Sequence, residues 1–269
     1  MTERLDVALV SRGLAPSREK AKASITGGFV YVNGRNDVKA SYQVGPDDDV
    51  EVRGVAIHYV GRGGLKLEKA LRVFAIDVTG QRCVDLGAST GGFTDCLLQA
   101  GASHVHAIDV GHGQLDPSLQ ADERVTSLEG TDARAVTPQM VDGAVPFVAA
   151  DVSFISLEKV LPALASILTP DGRAVCLVKP QFEAGPEHVG KRGVVKDPKV
   201  HTWVIDRVIH EAREAGLTCA GLDFSPITGP EGNIEYLLCL TKGAPAPEMT
   251  AAGDARSVVE RAHRELRRA

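Results

Sequence analysis

The stretch CVDLGASTGGFT, residues 83–94, constrains this chain more than any other, because it packs a short apolar strand, a glycine turn and a helix start into twelve residues. Such a turn brings backbone amides and a helix N-terminus up against a ligand. The dinucleotide fingerprint G-x-G-x-x-G needs a glycine at its third place, whereas residues 87–92 read GASTGG and carry Gly87, Gly91 and Gly92 at another spacing. That disfavours a pyrophosphate. Asp85, at the strand end, suits a ligand bearing ammonium and sulfonium charges, which points to S-adenosylmethionine. HVHAID reads as a second strand ending in Asp109, twenty-two residues after Gly87, where a ribose-binding acid falls in a doubly wound fold. On the motif alone, a plain strand-to-helix turn without a ligand stays open.

From residue 80 onward strand and helix signals alternate. Strands are expected at 82–86, 104–109, 125–128, 146–150 and 173–179, with helices from 92, over 156–168 and over 199–215. Alternation of this kind makes an α/β fold, a Rossmann-like doubly wound sheet whose site lies beyond the strand C-termini. GLDFSPITGPEGNIEYLLCL adds an antiparallel hairpin at one edge. PAPEMTAAG reads as a connector, and SVVERAHRELRRA as an amphipathic helix expected to dock on the large domain, with Val258, Val259, Ala262 and Leu266 clustered. Before the sheet, LKLEKALRVFAI sets Leu67, Ala70, Leu71 and Phe74 on one helical face. Lys66 falls in that helix's first turn, where a cation opposes the helix dipole, so either something other than helix stability placed it or it extends into water.

Residues 1–55 differ from the rest. RLDVALVSRG gives a short helix, Ser17 after Pro16 caps a second over REKAKASITGG, and FVYVNGR alternates up to an Asn33-Gly34 turn, a hairpin signal. Arg12, Arg18, Lys20, Lys22, Arg35 and Lys39 outnumber Glu19 and Asp37, although the whole chain carries a net charge of -5. This small α+β unit therefore presents a basic face that fits either a phosphate backbone or plain solvent. Its pattern, R-L-D-x-x-L-V-x-R-G-L-A-x-S-R-E through V-x-V-N-G, resembles the S4-type RNA-binding domain. The resemblance implies RNA contact by Arg12, Ser17, Arg18, Lys20, Lys22 and Arg35.

Four charged residues sit where a site belongs: Asp151 closes PFVAAD, Lys179 closes AVCLVK, Glu235 lies in NIEYLLCL, and Lys66 precedes the sheet. Each alone reads equally well as a solvated strand end. Together they resemble the K-D-K-E tetrad of FtsJ-like 2'-O-methyltransferases. A sulfonium is a good leaving group, so such an enzyme mainly aligns the methyl with a ribose oxygen and helps that hydroxyl lose its proton. Lys179 is expected to be central, with Lys66 near the reacting oxygen and the two acids as orienters; burial and Lys66 would lower the Lys179 pKa while the acids oppose that shift.

The S4-like start, GRGGLKL, DLGASTGGFT, DVSFISL, LVKPQFE and GNIEY, in this order over nearly the whole chain, resemble the TlyA (hemolysin A) family of ribosomal RNA methyltransferases. Gly61 departs from the serine usual before R-G-G. The resemblance implies S-adenosylmethionine as donor and 2'-O-methylation of cytidine in 23S, and in some members 16S, rRNA within ribosomal subunits. It also implies a cofactor pocket of Asp85, Gly87, Ser89, Gly91, Gly92, Asp109, Asp132 and Phe154. The expected division is an RNA-binding domain over 1–55, a linker over 56–63, a methyltransferase domain over 64–243, and a connector with C-terminal helix over 244–269. The basic loop HVGKRGVVKDPKVH adds Lys191 and Arg192 as RNA contacts.

Five cysteines without a C-x-x-C pair support neither a disulfide framework nor a metal site. No apolar run approaches the roughly 18 residues of a membrane span, and MTERLDVALV is too short and charged for a signal peptide. A cytoplasmic protein off the membrane is expected, with its oligomeric state open. An RNA-binding ribosome-assembly factor without methyl transfer and, further off, a lytic protein are the competing readings.

Overall fold

The computed structural model describes residues 2–15, 17–26, 28–36, 38–52, 58–243 and 254–266. Pro16, Gly27, the first two residues of the expected linker, the PAPEMTAAG connector and the last three residues of the tail lie outside the described residues. The chain divides into two compact units, Met1–Gly64 and Leu65–Ala269.

In the first unit, β1 (Glu3–Arg4) leads into α1 (Leu5–Ser11), which buries Leu5, Ala8 and Leu9 at helical spacing. Ser17 caps α2 (Arg18–Thr26) by accepting a hydrogen bond from the Lys20 backbone N–H at 3.3 Å. Ala21 and Ile25 of α2 pack with Val30 and Val32 of β2 (Val30–Val32) and Val44 of β3 (Gln43–Val44) in one small core. The expected hairpin is corrected here. Asn33 and Gly34 do form a tight turn, both with positive φ, but it returns only to a single bridge between Val32 and Arg35. The strand that pairs with β2 is β4 (Val50–Val52), while β3 pairs with β1. Val38 and Ala40, after the turn, pack partly buried against the same small core, while the place beside β2 goes to β4.

The second unit takes in α3 (Gly63–Val73) from Leu65 onward, then β5 (Arg82–Leu86), α4 (Gly92–Gln99), β6 (His104–Asp109), α5 (Pro117–Gln120) and β7 (Val125–Glu129). It continues through β8 (Val145–Ala150), α6 (Leu161–Ile167), β9 (Leu168–Val178), α7 (Pro180–Glu183), α8 (Pro198–Glu214), β10 (Thr218–Phe224), β11 (Tyr236–Thr241) and α9 (Ala255–Leu266). The described strands make a seven-stranded sheet in the order β10-β11-β9-β8-β5-β6-β7. Pairs from β7 to β9 are parallel, and β11 joins β9 and β10 antiparallel. The chain winds outward from β5 through β6 to β7, then restarts on the other side at β8. That reversal opens a crevice beyond the C-terminal ends of β5 and β8.

The helix expected over 156–168 is broken. Ser156 caps a 3-10 turn over Leu157–Lys159, and α6 starts only at Leu161, with Pro162 in its first turn where a missing N–H costs nothing. Val258, Val259 and Ala262 of α9 share the main core with Val204 and Val208 of α8 and Leu222 of β10. No helix among the described residues is long and apolar enough to cross a membrane.

Candidate active site

Each of the four charged residues is delivered by a different element to the rim of that crevice. Asp151 directly follows β8, and its backbone N–H donates to the Leu86 carbonyl at 2.9 Å, which ties it to the end of β5. Lys179 directly follows β9. Glu235 directly precedes β11, whose first residue, Tyr236, registers against Val178 of β9; the antiparallel hairpin thus brings Glu235 to the same end of the sheet. Lys66 arrives from the first turns of α3.

Their side chains meet. Lys179 Nζ lies 2.5 Å from Asp151 Oδ1 and donates to Ser153 Oγ at 2.8 Å. Lys66 Nζ lies 2.7 Å from Glu235 Oε2 and 3.5 Å from Asp151 Oδ2. Lys66 does not extend into water: it, Lys179 and Glu235 are buried. Burial would lift the Asp151 carboxyl, but the ammonium groups of Lys66 and Lys179 outweigh that and hold it below its ordinary value. Taking an ion out of water costs several kcal/mol even after relaxation, so two amines and two acids packed together are a poor way to stabilise a fold and a good way to orient reacting atoms.

Beside the tetrad opens a cleft of about 1250 Å³, ample for a cofactor-sized ligand, and Asp151 lines it. Of the expected cofactor residues, Gly87, Ser89, Asp109, Asp132 and Phe154 line the cleft too. At Gly87, with φ +86°, an added Cβ would lie 2.7 Å from the Asp151 carbonyl oxygen, so only glycine lets these two strand ends approach. Asp109 accepts backbone N–H groups from Ser89 at 2.8 Å and Gly111 at 2.7 Å, which sets its carboxylate across the mouth of the turn. Asp132 pairs with Arg134 at 2.5 Å. Phe154 is 91% exposed, takes φ +62° and leans on Phe182 with ring centroids 5.0 Å apart. Holding a bulky residue in that region costs about 1 to 3 kcal/mol, a strain that clusters at functional sites.

Asp85, Gly91 and Gly92 stand elsewhere. Gly91, with φ +96°, and Gly92 start α4 and pack inward, Gly91 against Leu115 and Leu119. Asp85 is fully buried behind the cleft, where Oδ2 accepts from the Thr94 hydroxyl at 2.7 Å and Oδ1 has no hydrogen-bond partner. Burial, only partly offset by Thr94, pushes its carboxyl up to about 7. An orphaned buried carboxylate oxygen beside a glycine cradle fits a cationic ligand. Among the described residues no group of His, Cys, Asp and Glu has the make-up of a metal site.

The RNA candidates divide in the same way. In the first unit Arg12 donates to the Gly45 and Asp48 carbonyls, Arg18 pairs with Asp6 at 3.0 Å, and Lys20 donates to the His58 carbonyl, so these three are partly spent on the fold. Arg35 and Lys22 are exposed, as are Lys191 and Arg192 in the second unit. Ser153, Thr94 and Phe182 were not foreseen. Only Ser153, a hydroxyl two residues past Asp151 in an otherwise apolar turn, left any trace in the sequence.

Residues 59–242 match the FtsJ-like methyltransferase family and residues 3–50 the S4 domain. YqxC of Bacillus subtilis, provisionally named an rRNA methyltransferase, is 48% identical over 98% of this chain and 95% of its own. TlyA of Mycobacterium tuberculosis, named a 16S/23S rRNA (cytidine-2'-O)-methyltransferase, is 48% identical over 88% of this chain and 89% of its own. The solved structure of a provisionally named hemolysin from Streptococcus thermophilus superposes with a TM-score of 0.78 at 44% identity, covering 99% of this chain and 98% of that one. Matched over most of its length in sequence and in fold, the chain belongs to the FtsJ-like methyltransferases and, within them, to the S4-headed TlyA family.

Proposed function

We propose that this protein transfers a methyl group from S-adenosylmethionine to the 2'-hydroxyl of a cytidine in ribosomal RNA, with 23S as the first candidate and 16S as the second. The observation that carries the reading is the meeting of Lys66, Asp151, Lys179 and Glu235 beside a cleft that Asp151 also lines. The activity for which the Mycobacterium tuberculosis relative is named supports the same substrate and position of transfer.

Gly87, Ser89, Asp109, Asp132 and Phe154 would hold the cofactor, with Gly91 and Gly92 shaping the turn and Asp85 behind it countering positive charge. When bound, S-adenosylmethionine supplies an electrophilic methyl group on a sulfonium. The chain's own residues then have to align the ribose oxygen and manage its proton. Lys179 is the residue that handles the 2'-hydroxyl proton, its amine fixed by Asp151 and Ser153. Lys66, steadied by Glu235, sets a positive charge where the oxygen becomes negative. Arg12, Ser17, Arg18, Lys20, Lys22 and Arg35 of the S4 unit, together with Lys191 and Arg192, would contact ribosomal RNA in the cytoplasm. Mapping 2'-O-methyl marks on rRNA from cells with and without the protein tests this: a cytidine mark that vanishes with the gene supports it, and identical maps refute it.

A further inference from the structure

Trp203 is unexplained by the fold. It is the only tryptophan of the chain and remains 45% exposed on α8. A residue of that size on a surface helix normally turns inward. Its neighbours are polar rings and charge rather than core: the Arg207 guanidinium lies 5.1 Å from the indole centroid, and the His188 ring packs at 5.9 Å. Arg207 is held there by Glu183 at 3.3 Å and Glu211 at 2.9 Å. Lys199, Trp203 and Arg207 fall four residues apart, one stripe along α8.

This stripe adjoins the cleft and a prepared basic turn. His188 belongs to the segment whose Gly185, Pro186 and Val189 line the cleft wall. Directly after it, residues 190–194 close on themselves, Gly190 N–H donating to the Val194 carbonyl and Gly193 N–H to that of Gly190. Buried Asn233 clamps the turn, accepting from the Val195 N–H at 3.1 Å and donating to the Gly193 carbonyl at 2.8 Å. The exposed Lys191 and Arg192 thus ride on a turn anchored two residues before Glu235. Residues 190–199 carry Lys191, Arg192, Lys196 and Lys199 against one acid, Asp197, on a chain whose overall charge is negative.

We propose that Trp203 and this turn form a second RNA contact, in which the indole stacks on an unpaired base beside the target nucleotide while Lys191, Arg192 and Lys199 follow the phosphates. The inference rests on the methyltransferase reading and adds to it the kind of RNA the enzyme engages: a locally single-stranded segment, since a paired base offers no free face. Aromatic stacking tolerates any base, and a neighbouring arginine strengthens it.

The lone tryptophan reports directly on the site. The full-length protein is titrated at moderate salt with a single-stranded oligoribonucleotide of about 12 nucleotides, a duplex of equal length, and heparin as a charge-only control. The single strand is expected to quench the indole emission, with the duplex and heparin quenching less. Followed by the anisotropy of a fluorescein-labelled strand, since neither variant retains the indole, Trp203→Ala should weaken single-strand binding about tenfold, while Trp203→Phe retains most of it and both variants keep the wild-type melting temperature. Emission indifferent to the single strand, equal quenching by heparin, or wild-type affinity in Trp203→Ala overturns the stacking site. A parallel assay separates the two readings. If the wild type methylates rRNA and Trp203→Ala does so with the same KM, the stacking site falls and the function stands; if the wild type methylates nothing, the function itself falls.

Discussion

Lys66, at the start of the sheet-bearing unit, and Glu235, directly ahead of its last strand, meet at 2.7 Å, Glu235 with 3% of its side chain exposed. Removing one partner of a buried pair leaves the other charge without its nearest counter-ion, which costs more than the pair ever contributed. Glu235→Ala is therefore expected to destabilise the protein by about 3 kcal/mol, lowering Tm by roughly 6 to 12 °C in a domain of this size. Thermal scans of the variant and of Glu235→Gln, which keeps the shape and one acceptor, check this: the glutamine variant should fall between wild type and alanine.

The Asp85 carboxyl, pushed by burial up to about 7, gives a pH dependence with a definite sign. Its folded value lies above the roughly 3.9 of an unfolded aspartate. Its contribution is therefore complete below about pH 4 and is lost as the pH rises through 7, at up to about 1.4 kcal/mol per unit. Asp85→Asn mimics the protonated acid and removes this loss. Denaturant unfolding of both proteins between about pH 5 and pH 8 should show the asparagine variant gaining on wild type up to neutrality and levelling off beyond. A constant difference would mean that Asp85 is ionised in the folded protein throughout.

Gly87→Ala tests the cradle. Its φ of +86° and the 2.7 Å approach of an added Cβ to the Asp151 carbonyl oxygen force the strand ends apart. Calorimetric affinity for S-adenosylmethionine should fall by more than about tenfold, the equivalent of 1.4 kcal/mol. Gly80→Ala is the control: at φ +70° with open space around it, the cost is confined to the backbone, and cofactor affinity should not change.

Much of this architecture was legible because one physical pattern recurs. Asp151 and Lys179 each interrupt an apolar run at its C-terminal end, and in a parallel sheet all such ends share one edge. Glu235 was legible because the Gly/Pro loop before it announced a hairpin that would reverse the chain to the same edge. What failed was local. The Asn33-Gly34 turn formed as its residues dictate, yet a turn does not choose its partner strand: β4 pairs with β2, and Val38 and Ala40 pack on the same core instead. The charge of Arg12 and Arg18 was visible, but their use on carbonyls and on Asp6 is a tertiary fact. Ser153 and Thr94 act through single hydroxyls, which leave no periodicity to read.

The role we infer for Lys179, set by Asp151, is to drive methyl transfer to a ribose oxygen. Its most direct test is tritium transfer from labelled S-adenosylmethionine to ribosomal subunits, followed by alkaline hydrolysis of the RNA, which cannot cut beside a 2'-O-methyl group. Label is expected in alkali-resistant dinucleotides beginning with cytidine, with a rate lower by about 10² to 10⁴-fold in Lys179→Ala and cofactor affinity unchanged. Label recovered in mononucleotides as a methylated base, or undiminished transfer by Lys179→Ala, would contradict it.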